Sequence, residues 1–319
     1  MKIFLKKIFI IIIAFCAFVI GVLFPVDAFI FGHQYKHNYQ ASVIDKVERL
    51  KSIDEPKIIL VGNSNLAFGM NSREIQKEIG MPVVNLGLHG GLGNVFSEQI
   101  SKISINSGDI VILCYHTFSD DDKINDPSLA WITYDANFSF FRMLRPKDYL
   151  RILPSFPDYF EKKLFMFLQK NGNENPETCY SRNAFNEYGD VVFKPESEKK
   201  DMIRFFQEKN SFLPELNKTC VKRLEKLNKF CNKKGATLVV AGCPVPYGKY
   251  DSFTKADIID FQKQLDDELS FPIISDFTDY LYPYEYFYDT QYHLNEEGTQ
   301  VRTKQLIKDI KKYFFDTSK

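Results

Sequence analysis

The sequence predicts an α/β fold: a five-stranded parallel sheet in a three-layer α/β/α sandwich, with one long insertion. Three observations predict it. Short runs rich in Ile, Val and Leu recur between residues 57 and 277 without alternating apolar and polar positions. Strands of that kind are buried on both faces, as in a parallel sheet covered by helices. Amphipathic stretches separate several of these runs, and such alternation marks the class. The 319-residue chain is also long enough for one large domain or two small ones.

The N-terminus comes first and differs from the rest. Lys2, Lys6 and Lys7 precede an uncharged apolar run at 8–24, and the next basic residue is Lys36. As a helix the run spans about 25 Å, at the short end for a membrane crossing. It exceeds the usual apolar core of a signal peptide, so residues 1–31 read as an uncleaved anchor. Val26-Asp27-Ala28 is where cleavage would otherwise fall. The lysine asymmetry places the N-terminus in the cytoplasm and the remainder outside. Residues 32–56 read as a stalk and a first helix carrying Val43, Val47 and Leu50.

The domain proper is expected at 57–319. Its first strand is 57–61, followed by a short helix at Ser72–Ile79 with Ser72 as cap. A strand at 83–86, a helix at 94–105 and a third strand at 109–115 come next. After a long interruption, an amphipathic helix at 216–234 ends at Gly235. The fourth strand lies in 236–246 and the fifth in 271–277. The last helix, 296–314, carries Val301, Leu306, Ile307, Ile310 and Phe314 on one face. The interruption at about 116–211 is rich in Phe, Tyr, Pro and acidic residues. It follows the carboxyl end of a strand, where open α/β sheets bind ligands, and so reads as a cap over a site. The plainer alternative is a decorative subdomain.

Composition excludes some classes. Net charge is zero with signs interspersed, so there is no nucleic-acid footprint. Cys16 lies in the apolar run. The other five cysteines form no CxxC or Cys/His metal spacing and read as buried small hydrophobes. Cys220 and Cys231 share one helical stripe about 16 Å apart, too far for a disulfide. His33 and His37, four apart, read as stalk residues rather than metal ligands. No metal or cofactor is expected.

Three stretches carry the chemistry. The first strand runs into Gly62-Asn63-Ser64-Asn65, which would hold the Ser64 hydroxyl at the carboxyl-end crevice, near unpaired backbone N–H groups. A polar turn would use serine in the same place. After the second strand, Gly87, Gly90, Gly91 and Gly93 permit close backbone approach. Before the last helix, Asp289 and His293 are four apart, so one turn can join carboxylate and imidazole. A serine's general base needs such a partner to fix its tautomer. Asn295 with Glu296 and Glu297 would equally make this a capping turn.

In this order, the GNSN turn, the NLG loop and the D…HLN..G stretch resemble the SGNH (GDSL-type) hydrolase superfamily. The closer likeness is to membrane-anchored members that act on cell-envelope polymers, including the DltD-like and alginate-acetylation-like proteins. The resemblance covers about 57–115 and 213–314. It implies a flavodoxin-like sheet, Ser64 as nucleophile, His293 as base and Asp289 as its orienting acid. It also implies the amides of Ser64 and Gly87 as oxyanion donors, with Gly90, Asn65 and His116 contacting oxyanion or substrate. Two departures stand out. Where the family usually supplies an Asn after the third strand, this chain reads Cys114-Tyr115-His116-Thr117, so either the oxyanion hole has no side-chain donor or His116 replaces it. Asp289 is four residues before His293 where three is commoner, and Thr290 holds the usual position. An α/β-hydrolase would want GxSxG, but position 66 is Leu.

The expected function is an exported, membrane-anchored esterase or O-acyltransferase acting on a cell-surface polysaccharide or another acylated envelope polymer. By analogy, a membrane partner that exports acyl groups would serve it. The reading from another class is a catalytically inactive glycan-binding or assembly protein that kept the fold.

Overall fold

The structure is a computed structural model and describes residues 2–119, 123–169, 177–208 and 213–316. Helix α1 (Lys2–Phe18) is continued by wider π-helical turns at Val19–Leu23 and Val26–Phe31. Then come α2 (Ser42–Ser52), β1 (Ile58–Gly62), α3 (Ser64–Phe68), α4 (Ser72–Ile79), β2 (Val83–Asn85), α5 (Asn94–Ser101) and β3 (Ile110–Cys114). Four helices follow: α6 (Pro127–Ala136), α7 (Pro146–Ile152), α8 (Phe156–Gln169) and α9 (Met202–Glu208). The chain finishes with α10 (Lys218–Lys234), β4 (Thr237–Val240), β5 (Val245–Pro246), α11 (Lys255–Glu268), β6 (Leu281–Tyr282) and α12 (Glu296–Ile310). Among the described residues, no single helix is long and apolar enough to cross a membrane.

Strands β2-β1-β3-β4 form a parallel four-stranded sheet in that order. Their side chains sort by strand alternation. Ile59, Val61, Val111, Leu113 and Leu238 pack with α2, α5 and α10 through Leu50, Phe96 and Leu224. Ile58, Leu60, Ile110, Ile112 and Val239 pack with α4 and α12 through Ile75, Leu306 and Ile310. The sheet is therefore buried on both faces, which is why its sequence reads as unbroken apolar runs.

The fifth strand is reduced to one bridge. Ile273 pairs with Val240, with Val240 N donating to Pro272 O (2.9 Å) and Ile274 N to Val240 O (2.8 Å). Pro272 has no N–H to extend the ladder. Downstream, Asp276 caps a 3-10 turn at Phe277–Tyr280 and ends the extended segment. The expected fourth strand also divides: β4 stops at Val240, and β5 pairs with β6 in a separate parallel ladder. Between them Gly242 lies under the Tyr280 ring, where a β-carbon would come within 2.2 Å of it.

Residues 32–56 are not a free stalk. Tyr39, Ala41, Val43 and Leu50 are buried, and α2 belongs to the main core. The preceding turns are held as firmly. Asp27 is buried and ion-paired with Lys163 of α8 at 2.9 Å, and Lys163 also pairs with Asp135 of α6 at 2.5 Å. Tyr159 donates toward both carboxylates, and Phe31 packs on Phe160 and Phe167. Smaller corrections concern helix ends. Asn71 caps α4, accepting from Glu74 N, while the Ser72 hydroxyl donates to Asp190 at 2.6 Å. On α12 the buried face is Arg302, Thr303, Leu306, Ile307 and Ile310, and Val301 faces out. The five described cysteines, Cys114, Cys179, Cys220, Cys231 and Cys243, are buried, and no disulfide joins any two of them.

The segment expected as a cap has two parts. Helices α6 to α8 pack on one another and on the N-terminal turns. Residues 177–208 wrap around α3 and the loop before α12. Val191 N donates to Ala67 O (2.7 Å), Lys200 N to Tyr288 O (2.9 Å), and Lys194 Nζ to Phe68 O and Leu294 O (2.6 and 3.1 Å).

Candidate active site

Strand β1 stops at Gly62, where a β-carbon would collide with Cys114 O and Leu66. The next residue, Asn63, caps α3 by accepting Asn65 N at 3.0 Å. Ser64 is thereby set at the first turn of a helix, at the carboxyl end of the sheet, where open parallel sheets place their ligand crevice. On the opposite wall, Tyr288 N donates to His293 O (2.8 Å), and Phe287 bridges Leu294. That closure folds Asp289 back onto the His293 ring.

The three side chains meet. Ser64 Oγ lies 2.9 Å from His293 Nε2, and Asp289 Oδ1 lies 2.8 Å from His293 Nδ1. All three residues are buried, and the Phe68 ring stacks on the imidazole at 3.9 Å between centroids. The Asp289 carboxylate accepts from Nδ1–H, which leaves Nε2 unprotonated and able to accept the serine proton. Burial alone would raise the Asp289 carboxyl, but the hydrogen bond from His293, the charge of that ring once it is protonated, and a hydrogen bond from Tyr180 hold it below its ordinary range.

Tyr180 is a residue that sequence reasoning missed. Its phenol donates to Asp289 Oδ2 and lies 3.4 Å from His293 Nδ1. Nothing in its surroundings, an aromatic-rich stretch with no fixed spacing to His293, could have singled it out.

A cleft of about 1120 Å³ opens over Ser64 and His293. Gly90, His116 and Asn63 line it. From the 116–211 segment come Asn125, Tyr180, Lys200 and Phe205. His116 packs against Tyr292, and burial, followed by the charge of Arg302, pushes its imidazole down to about 4. It is neutral at physiological pH. His89, also on the cleft, is lowered by burial and then by His293.

Two expected contacts are not met. Asn65 is turned inward: its Nδ2 donates to Asn63 Oδ1 and Cys114 O, and its two oxygens accept from Arg302. It serves the fold beneath the cleft. The Gly87 amide is committed to Asn85 Oδ1 at 2.9 Å. Gly87 is a glycine for packing, since a β-carbon there would meet Ala67 N at 2.6 Å and Asn63 O at 2.8 Å. Among the described residues no group of three or more His, Cys, Asp or Glu side chains could hold a metal ion. His33 is instead bonded through Nδ1 to Asp135 O.

Comparison with known proteins gave no match to a family model, to a curated protein or to a solved structure.

Proposed function

We propose that the chain is a membrane-anchored serine esterase or O-acyltransferase of SGNH type, acting on a cell-envelope glycan. The observation that carries this reading is the continuous relay from Ser64 Oγ through His293 to Asp289, open to a large cleft. In the mechanism, Ser64 Oγ attacks an acyl carbonyl carbon and its proton passes to His293 Nε2. The tetrahedral intermediate collapses, and the departing alcohol takes that proton. Water then regenerates the serine in an esterase, or a polysaccharide hydroxyl does so in a transferase. The amide of Ser64 remains the backbone donor to the oxyanion in this reading. The aromatic side chains of Tyr180, Phe205 and Tyr292 along the cleft suit stacking on sugar rings. For the anchor, support comes from α1: Phe4, Leu5, Phe9 and Ile11 are exposed, so the fold does not cover them.

The test is hydrolysis of p-nitrophenyl acetate by the full-length chain in detergent. Ser64→Ala should abolish turnover with an unchanged melting temperature, because one hydroxyl contributes little packing. Residual hydrolysis equal to wild type sinks the reading. One observation favours the alternative of an inactive glycan-binding or assembly protein: the Gly87 amide is already occupied. That alternative predicts glycan binding that Ser64→Ala leaves intact and no turnover in either protein.

A further inference from the structure

With Gly87 committed, the oxyanion needs another donor, and the cleft contains one already oriented. The Asn63 carboxamide is clamped from both ends. Its Oδ1 accepts from Asn65 N (3.0 Å) and Asn65 Nδ2 (2.6 Å), which turns the oxygen inward toward α3. Its Nδ2 faces the other way and donates to His116 Nδ1 at 3.0 Å. That contact uses one of the two N–H bonds of the amide. Asn63 lines the same cleft as Ser64, its neighbour in the chain, and its Nδ2 lies 3.8 Å from where a β-carbon on Gly90 would sit. The glycine leaves that corner open.

We propose that Asn63 is a catalytic residue, whose second Nδ2–H donates to the oxyanion formed when Ser64 attacks, and that His116 is a positioning residue that holds this amide. The assignment rests on the serine-hydrolase reading given above. His116 can do this because its neutral ring offers Nδ1 as an acceptor; an imidazolium would carry a proton there and push the amide away. A preset side-chain donor of this kind acts mostly on the transition state, so its loss appears in kcat rather than KM.

Asn63→Asp is the informative variant. The carboxylate retains an oxygen to cap α3 but replaces the cleft-facing donor with an acceptor. With p-nitrophenyl acetate and the full-length chain, kcat should fall by about 100-fold or more, as for loss of one oxyanion donor, with KM little changed. His116→Phe should lower kcat at constant KM, and His116→Gln, whose side-chain oxygen can accept from Asn63, should restore most of it. Wild-type kcat in a folded Asn63→Asp protein overturns the assignment. Should that variant fail to fold, equal rates for His116→Phe and His116→Gln overturn it instead. Ser64→Ala separates the two levels: if it retains turnover, the serine reading itself fails, whereas a silent Ser64→Ala beside a normal Asn63→Asp removes only the donor.

Discussion

Tyr180 reaches the relay from a part of the chain that the motifs do not touch. Its phenol occupies Asp289 Oδ2 while His293 occupies Oδ1, so the carboxylate is held by both oxygens. Tyr180→Phe should therefore lower kcat by about tenfold or more with KM nearly unchanged and the melting temperature reduced, since a hydrogen bond to a charged group contributes about 1.5–3 kcal/mol. Steady-state kinetics on both proteins checks this, and an unaltered kcat would leave the phenol a purely structural tie. Replacing Asp289 should do less harm than replacing Ser64 or His293, because it orients rather than attacks. The His293→Ala result needs care, because the ring it removes also stacks on Phe68. Ser64, Asp289 and His293 were readable because each sits in a short stretch whose residue types imply a shared chemistry. Gly87 shows where reading stops. A glycine in sequence does not reveal that Asn85 has turned its side chain back onto the amide.

At the scale of elements, the Lys163 cluster joins α8, α6 and the turns at Val26–Phe31. Its ammonium lies between two buried carboxylates. Lys163→Ala would leave Asp27 and Asp135 buried without it, and breaking a buried pair costs about 3–5 kcal/mol. Chemical denaturation should show that loss, and Asp27→Asn in the same background should recover part of it. No change in the midpoint would mean that solvent reaches the site. Helices α10 and α12 were legible because their apolar periodicity and their terminal Gly235 and Asn295 agree, whereas α4 was legible in span but its cap lies on Asn71 and not on Ser72. The fifth strand was overread. Its run of apolar residues is real, but Pro272 and the turn capped by Asp276 leave one bridge. The 32–56 segment differs for the opposite reason: it is polar on average, yet Tyr39, Ala41, Val43, Val47 and Leu50 are buried.

Across the whole molecule, the two-faced sheet was predictable from unbroken apolar strands. The packing of 123–169 and 177–208 was not, because what places them is contact with segments distant in sequence, the turns at Val26–Phe31 and the surroundings of α3 and α12. If α1 is the anchor, a reporter fused after residue 319 should behave as exported; alkaline phosphatase activity without cytoplasmic signal is the expected result, and a cytoplasmic signal alone ends the topology reading. The clasp between Asp27 and Lys163 then bears on reach. A flexible leash lets a catalytic cleft sweep a volume above the bilayer. Here the end of the N-terminal helix is bolted to α8, so the link behaves as a bracket. On the proposed function, such an enzyme would work at one altitude. It would meet its polymer by drifting sideways in the membrane plane, and extra residues inserted after Phe31 would not raise it, because the bolt lies on the membrane side of that point.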